Sequence, residues 1–216
     1  MAPTRAILLD ALGTLVELEP PWIHLRQALD DRIEEDRLEG AVRAEMRYYR
    51  AHSDEGTDAR SLAELRRRCA EVLSAELGRP VDVDTLMASI RFRAYPDVGP
   101  ALGSLRRRSL KLVCVSNWDC SLPEVLARCG IGEALDGVVA SATAGARKPD
   151  PAIFERALEL AGCAPADALH VGDTPAEDLE GARAAGVRAL LIDRSGSPDG
   201  DGRIASLGEI EDHLQP

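Results

Sequence analysis

Four apolar runs in this 216-residue sequence are each followed by a polar side chain of a type found at phosphate and metal sites. These side chains are Asp10 after Ile7-Leu8-Leu9, Ser116 after Leu112 to Val115, Lys148 in the loop after Val138-Val139, and Asp173 after Leu169 to Gly172. If the runs are parallel strands, their carboxyl ends lie at one edge of a sheet, where the sites of α/β proteins form. Carboxylate oxygens bind Mg²⁺, a lysine neutralises phosphoryl oxygens, and a carboxylate can act as a covalent nucleophile. The pattern therefore suits a phosphate group held beside a divalent cation.

The elements that would position these side chains alternate between strands and helices. The predicted strands lie at 5–10, 110–116, near 138–139, at 168–171 and at 188–192, and the predicted helices at 97–108, 122–129, 151–162, 175–186 and near 206–214. Strands separated by helices of this length predict an α/β fold with a Rossmann-like, doubly wound parallel sheet. Residues 194–203 (RSGSPDGDGR) are interpreted as a loop, and they lack the terminal Glu and most of the ligands of a calcium-binding EF-hand.

Residues from about 20 to 92 follow a different pattern. Apolar residues recur there at helical spacing, for example Leu62, Leu65 and Cys69, and no strand-like run interrupts them. Ser61 with Glu64 is interpreted as a capping box at a helix start. We therefore expect a small all-helical domain at 17–94, inserted into a core domain made of 1–16 and 95–216.

Composition and charge exclude several classes of function. The net charge of −11 disfavours nucleic acid and anionic membranes as partners. No apolar run approaches the roughly 20 residues that cross a bilayer, and the N-terminus lacks a signal-peptide pattern, which predicts a cytoplasmic protein. The five cysteines form no CxxC pair and no cluster with histidine, so zinc sites and disulfides are not expected. The absence of GxxxxGK[ST] and GxGxxG argues against a kinase or a nucleotide-binding protein.

The order of the polar positions resembles that of the haloacid dehalogenase-like superfamily over nearly the whole chain. Residues 10–15 (DALGTL) resemble its first motif, DxDGTL, and residues 113–117 (VCVSN) its second, a strand ending in Ser or Thr. Residues 147–154 (RKPDPAIF) are similar to the KPxPxxF segment, and residues 171–178 (VGDTPAED) to GDxxxxD. The region 17–94 then resembles the small helical cap that the family inserts between its first two motifs.

This resemblance implies a role for each residue. Asp10 would attack a phosphoryl group and form an aspartyl-phosphate, while Ser116, Asn117 and Lys148 would bind the substrate. The magnesium ligands would be Asp10, the backbone carbonyl of Leu12, and Asp173, with Asp178 as a ligand or as the residue that orients a bound water. The expected cofactor is Mg²⁺ and the expected partner a small anionic substrate, acted on by a monomer or a homodimer.

One position departs from the family pattern. Leu12 occupies the place of the second Asp, which in ordinary phosphatases of the family protonates the leaving oxygen. Loss of general acid help typically lowers a rate by ~10²–10⁴. Three interpretations follow. The first is a phosphohydrolase whose leaving group needs little protonation, such as an acyl phosphate, or whose acid comes from elsewhere, with Glu17, His24 and Glu45 as candidates.

The second interpretation is a 2-haloacid dehalogenase. Those enzymes also lack the second Asp, because halide leaves without a proton, but they work without metal and lack the GDxxxxD pattern seen here. The third is a catalytically decayed relative that binds a ligand or a partner. A phosphonate hydrolase of the Schiff-base type is excluded, since it needs a lysine in the cap and no lysine precedes Lys111.

Overall fold

The structure, a computed structural model, describes residues 3–29, 33–195, 200 and 202–215. Contacts divide the chain into two compact units, Met1–Glu17 with Ala94–Pro216, and Leu18–Arg93. We call the first the α/β unit and the second the helical unit, and we describe each by itself.

The strands are short and follow the apolar runs. In chain order they are β1 (Ala6–Leu9), β2 (Val16–Leu18), β3 (Phe92–Ala94), β4 (Lys111–Ser116), β5 (Gly137–Ala140), β6 (Ala168–Gly172), β7 (Arg188–Ile192) and β8 (Arg203–Ile204). Six of them form one sheet in the order β5-β4-β1-β6-β7-β8. The pairings within this sheet are parallel. The predicted α/β fold with a parallel sheet is therefore confirmed.

The helices complete the layers. In chain order they are α1 (Pro21–Leu29), α2 (Glu35–His52), α3 (Ala59–Leu77), α4 (Val83–Ser89), α5 (Val98–Arg107), α6 (Leu122–Arg128), α7 (Ser141–Ala144), α8 (Pro151–Ala161) and α9 (Gly181–Ala184). Pro151 occupies the first position of α8, where its missing N–H costs nothing.

The central strand β1 is buried on both faces. Ala6 and Leu8 lie in a core cluster with Ile153 and Phe154 of α8. Alternation along a strand puts Ile7 on the opposite face, and its side chain is also fully buried. Burial on both faces explains why these strands are continuous apolar runs rather than alternating ones. Each large apolar side chain buried in this way contributes about 1.5–3 kcal/mol.

Two predicted helices take other forms. The helix expected at 175–186 begins as a π-helix, Pro175–Glu180, and ends as α9. Its wider turn places the Asp178 carboxylate where it accepts a hydrogen bond from the Thr174 N–H. The helix expected near 206–214 is a 3₁₀ helix, Leu207–His213, which starts with a capping box between Ser206 and Glu209.

The loop predicted at 194–203 is only partly described. Residues 196–199 and 201 lie outside the described residues, and the end of the segment forms β8, whose backbone pairs with β7. A two-residue strand carries too short a pattern to be recognised in sequence.

The helical unit consists of α1–α4, and α2 packs along α3. An all-helical region was predicted at 17–94, but the structure shows that this region is not entirely helical. Its first and last residues belong to β2 and β3, which pair with each other where the chain passes between units. Three residues per strand leave no detectable alternation.

The N-terminus of α3 also differs from the prediction. The capping residue is Asp58, whose carboxylate accepts hydrogen bonds from the Arg60 and Ser61 N–H groups. In return, the Asp58 N–H donates to the Ser61 hydroxyl. The predicted pair of Ser61 and Glu64 is therefore wrong by one turn, because Asp is as good a cap as Ser. No helix among the described residues is both long and apolar enough to span a membrane.

Candidate active site

The carboxyl ends of three adjacent strands bring the predicted site residues together. Asp10 directly follows β1, Ser116 ends β4, and Asp173 directly follows β6. The Asp10 N–H donates to the Val171 carbonyl at 2.9 Å, which fixes the start of the loop after β1 against β6. Lys148 enters from the loop between α7 and α8.

Asp10 accepts two hydrogen bonds on the same oxygen. The Ser116 hydroxyl donates to Oδ1 at 2.9 Å, and Lys148 Nζ donates to Oδ1 at 2.5 Å. All three side chains are nearly excluded from solvent, and Lys148 is 2% exposed. Both of these contacts are to Oδ1, and neither engages Oδ2.

Asp178 is held by three donors and anchors the lysine. Lys148 Nζ donates to its Oδ1 at 2.6 Å, His170 Nε2 lies 2.9 Å from the same oxygen, and the Thr174 N–H donates to Oδ2 at 2.9 Å. Lys148 therefore bridges Asp10 and Asp178. An ammonium group has three donors, and these two contacts use two of them.

Asn117 was predicted to bind substrate, and the contacts seen are of another kind. Its Oδ1 accepts from the Lys148 N–H at 2.8 Å, and its Nδ2 donates to the Lys148 carbonyl at 3.0 Å and to Glu177 Oε2 at 3.0 Å. The amide thus fixes the backbone from which Lys148 extends. Substrate binding by Asn117 stays a prediction.

Burial and neighbouring charges shift the pKa values of Asp10, Asp178 and Lys148 in different directions. Burial, opposed by the charge of Lys148, raises the pKa of Asp10. Burial also acts to raise the pKa of Asp178, but the His170 hydrogen bond and the Lys148 charge outweigh it and lower that pKa well below its usual range. Lys148 shows the converse balance, since burial is outweighed by Asp10 and Asp178 and its pKa is raised.

Asp173 is the carboxylate without a cation beside it. Although its side chain reaches solvent, the surrounding protein and then the negative charge of Asp10 raise its pKa to about 6. Two like-charged groups that share a site disfavour ionisation in this way.

The donor set fits a divalent cation. Asp10, Asp173 and Asp178 each offer one carboxylate oxygen, and these oxygens lie within 4.8 Å of one another. Three carboxylates face one ammonium, so the cluster carries excess negative charge that Mg²⁺ would neutralise. Asp178 already accepts three hydrogen bonds, which favours its orienting role over direct ligation. Leu12 lies in the loop directly after Asp10, as the predicted use of its carbonyl requires.

Two glycines allow the acids to approach the backbone. A Cβ on Gly13 would lie 2.0 Å from Asp173 Oδ2, and Gly13 has a φ of +85°. A Cβ on Gly172 would lie 2.1 Å from the Asp178 Cγ. Both positions therefore require glycine for the carboxylates to be where they are.

Sequence reasoning missed His170, Glu177 and Arg194. His170 is fully buried, and its Nδ1 has no hydrogen-bond partner among the described residues. A polar residue inside the apolar run of β6 was the available signal. Glu177 carried no such signal, because its contact with Asn117 joins residues 60 positions apart.

The three candidates for an alternative acid are placed as follows. The Glu45 carboxyl is buried inside the helical unit beside Cys69, and burial raises its pKa. His24 pairs with Glu19 at 3.0 Å within the same unit. Glu17 belongs to β2. Glu45 is thus a buried residue in the interior of the helical unit.

Comparison with known proteins gives a family match over most of the chain. The model of the haloacid dehalogenase-like hydrolase family matches residues 4–186. Haloacid dehalogenase-like hydrolase domain-containing protein 3 of Bos taurus is 45% identical over 91 residues, which are 42% of this chain and 36% of that protein. Phosphoserine phosphatase of Thermus thermophilus is 38% identical over 126 residues, which are 56% of this chain and 51% of that protein. The match thus spans about half or less of each relative.

A solved structure shares the fold over nearly its full length. L-2-haloacid dehalogenase from Xanthobacter autotrophicus superposes with a TM-score of 0.73 at 22% identity, covering 96% of each chain. Identity at this level shows the fold alone. The family match over most of the sequence, together with this fold, shows that the chain belongs to the haloacid dehalogenase-like hydrolase family.

Proposed function

We propose that this protein is a Mg²⁺-dependent phosphohydrolase that acts on a small phosphorylated metabolite through an aspartyl-phosphate at Asp10. The observation that carries the proposal is the cluster of Asp10, Ser116, Lys148, Asp173 and Asp178 at one edge of the sheet, with more negative than positive charge. The phosphatase named among the relatives supports the same chemistry.

The first step forms a bond between Asp10 Oδ2 and phosphorus. The bond from phosphorus to the leaving oxygen breaks, and its electron pair goes to that oxygen. Ser116 and Lys148 hold Asp10 Oδ1, so the carboxylate is oriented before substrate arrives. The remaining Lys148 donor would bind a phosphoryl oxygen, and the Ser116 hydroxyl would do the same by turning its single proton from Asp10 to the phosphoryl group. Preorganised donors of this kind stabilise the charge of the transition state.

The second step restores the enzyme. Water attacks phosphorus, the bond between phosphorus and the Asp10 oxygen breaks, and its electron pair returns to the carboxylate. Both protons of the water leave with the phosphate as dihydrogen phosphate, which then loses one of them to solvent. Asp178 holds Lys148 throughout, since both of its oxygens are engaged by protein donors.

The chain's own residues define where a magnesium ion would bind. Asp10, Asp173 and the Leu12 carbonyl would hold it, with Asp178 orienting a water. When bound, the ion would neutralise phosphoryl charge and the repulsion between Asp10 and Asp173.

Leu12 points to the class of substrate. A leucine side chain cannot donate a proton, so a leaving group that is stable as an anion is favoured. Acyl and aryl phosphates meet this requirement, whereas alkyl phosphates do not. We therefore expect acetyl phosphate to be a better substrate than an alkyl phosphate by a factor in the range of the lost acid catalysis, ~10²–10⁴.

A dehalogenase is the second candidate, and Leu12 is the observation that favours it, because halide needs no proton. Asp173 weighs against it. Without a cation, its carboxylate would face the nucleophile unneutralised, and that repulsion already appears in its raised pKa.

The test is an assay with acetyl phosphate, p-nitrophenyl phosphate, glycerol phosphate and 2-chloropropionate, each with Mg²⁺ and with EDTA. Asp10→Asn is the active-site variant, expected to lose at least ~10³-fold in kcat. Asp212→Asn, an exposed carboxylate on the last 3₁₀ helix, is the matched control and should behave as wild type.

Mg²⁺-dependent phosphate release that disappears only in Asp10→Asn supports the proposal. Chloride release that persists in EDTA would replace it with the dehalogenase. Silence on all four compounds would favour the decayed relative.

A further inference from the structure

We propose that Arg194 is a positioning residue, which holds the turn directly after the nucleophile in its active shape. The turn consists of residues 11–16 and is called the nucleophile turn below. The effect on turnover rests on the proposed function, whereas the effect on the turn does not.

Arg194 binds the nucleophile turn through two carbonyls. Its Nε donates to the Gly13 carbonyl at 3.2 Å, and its Nη2 donates to the Thr14 carbonyl. The turn also has internal bonds, from the Leu15 and Val16 N–H groups to the Ala11 carbonyl. The guanidinium therefore binds two carbonyls of the turn, those of Gly13 and Thr14, that this internal network does not use.

The arginine is itself fixed from two further directions. Its Nη1 donates to Asp97 Oδ1 at 2.9 Å, and its guanidinium carbon lies 3.7 Å from the centre of the Tyr95 ring. Asp97 accepts on its other oxygen from the Leu207 N–H at 2.8 Å. With a side chain 16% exposed and all three nitrogens engaged, Arg194 is a built contact rather than a free surface cation.

The turn matters because both sides of the candidate metal site depend on it. Asp10 precedes it, the Leu12 carbonyl belongs to it, and Asp173 packs on Gly13 so closely that no Cβ fits between them. A turn that moves away from Arg194 shifts Leu12 and releases Asp173. Displacements of about 1 Å at a reacting centre can cost about 10²-fold in rate.

A lysine cannot replace these contacts. It is a single point charge on a flexible stem, whereas the planar guanidinium binds two carbonyls, a carboxylate and an aromatic face together. Arg194→Lys should therefore restore only part of what Arg194→Met loses.

The experiment compares Arg194→Met, Arg194→Lys and Arg203→Met. Arg203 is the matched control, because it lies in the same part of the chain and its ion pair among the described residues is a long one, with Asp193 at 4.0 Å. Hydrogen–deuterium exchange is measured on a peptide that covers the nucleophile turn and on one that covers β6. The same proteins are assayed for kcat and KM with p-nitrophenyl phosphate and for the rise in Tm caused by Mg²⁺.

In Arg194→Met we expect exchange in the nucleophile turn to become at least tenfold faster while β6 stays protected. We also expect kcat to fall by about 10- to 100-fold with KM within about threefold, a smaller Mg²⁺-induced rise in Tm, and no such changes in Arg203→Met. Faster exchange in β6 to the same extent would show general destabilisation and overturn the proposal. Unchanged exchange in the turn, or faster exchange with unchanged kcat, would also overturn it. A wild-type protein inactive on every phosphate would instead count against the proposed function, and the exchange data would still decide whether Arg194 holds the turn.

Discussion

At the scale of single residues, the site depends on contacts that side-chain types alone do not reveal. Gly13 is the clearest case, because the sequence shows it only as one letter of residues 10–15 (DALGTL). In the structure its missing side chain makes room for Asp173. The residue is therefore part of the candidate metal site without contributing any ligand atom.

We predict that Gly13→Ala abolishes the rise in Tm that Mg²⁺ causes, because a Cβ there would displace the Asp173 carboxylate. The substitution also places a side chain in the left-handed backbone region, which costs about 1–2 kcal/mol. Thermal unfolding with and without Mg²⁺ measures the effect. The Mg²⁺ concentration is set at about 100 times the wild-type Kd, at which a bound ligand stabilises a protein by about 2.7 kcal/mol.

Gly145→Ala is the control for backbone strain. Gly145 has a φ of +71°, but nothing lies within 4 Å of the added Cβ. This variant should lose stability and keep the full Mg²⁺ response. An equal response in the two variants would contradict the assigned role of Gly13.

The pKa of Asp173 predicts how metal binding depends on pH. Since that pKa is raised to about 6, the carboxylate is increasingly protonated as the pH falls through 6 and then competes poorly for a cation. The Mg²⁺-induced rise in Tm should be full at pH 8 and decline through pH 6. Without metal the sign is opposite: the folded protein holds the Asp173 proton more tightly than the unfolded chain, so this contribution is full below the ordinary carboxyl pKa of 3.8 and is lost as the pH rises from there to about 6.

Asp173→Asn separates the two effects. It should remove the Mg²⁺ response at every pH and raise the Tm of the metal-free protein at pH 8, where the wild-type carboxylate is ionised. A metal-free Tm that falls at pH 8 would contradict the repulsion inferred between Asp173 and Asp10.

At the scale of elements, helix ends were the least predictable feature. The periodicity of α3 was clear, but Asp58, Ser61 and Glu64 all have side chains suited to an N-terminus. The three-dimensional geometry selected Asp58, which bonds two N–H groups. Likewise, nothing in residues 175–186 distinguished a π-helix from an α-helix.

We predict that Asp58→Ala lowers the free energy of unfolding by about 1 kcal/mol, the usual contribution of an N-cap. The lowered pKa of Asp58, caused by hydrogen bonds from Ser61, agrees with this role. Urea unfolding followed by helical circular dichroism measures the loss. Glu64→Ala should change stability by less than about 0.5 kcal/mol, because the ion pair of Glu64 with Arg67 is exposed to solvent. A larger loss in Glu64→Ala than in Asp58→Ala would restore the original capping assignment.

At the scale of the whole molecule, alternating strands and helices were enough to predict a parallel α/β sheet. Alternation does not specify the order of the strands, however. That order places β1 between β4 and β6, and so brings Asp10, Ser116 and Asp173 to one point. The motif resemblance supplied this grouping, whereas contacts between distant residues, such as Arg194 with Gly13, had no local signal.

The last 3₁₀ helix is predicted to be a core element of the α/β unit, although its sequence is mostly polar. Ile210 is fully buried there. We expect Ile210→Ala to lower the free energy of unfolding by about 2–5 kcal/mol, as for other buried Ile-to-Ala changes. Urea unfolding measures it.

Leu160→Ala is the control, since Leu160 is 53% exposed and should lose much less on truncation. Similar losses in the two variants would show that the 3₁₀ helix contributes no more to the core than an exposed position of α8.

The two lysines of the sequence lie near opposite ends of β4. Lys111 begins the strand, and Lys148 lies in the candidate site near its last residue, with practical consequences for handling the protein. Lys148 is buried and held protonated between two acids, whereas the Lys111 side chain is 55% exposed beside Asp136. Lys111 begins β4 and Ser116 ends it. At 3.3 Å per residue, Lys111 and Ser116 are therefore about 16 Å apart along the strand. Acylating dyes or activated resins should therefore couple to the Lys111 amine and spare Lys148. A protein tethered through this lysine would be attached at the end of β4 opposite to Ser116 and the candidate site.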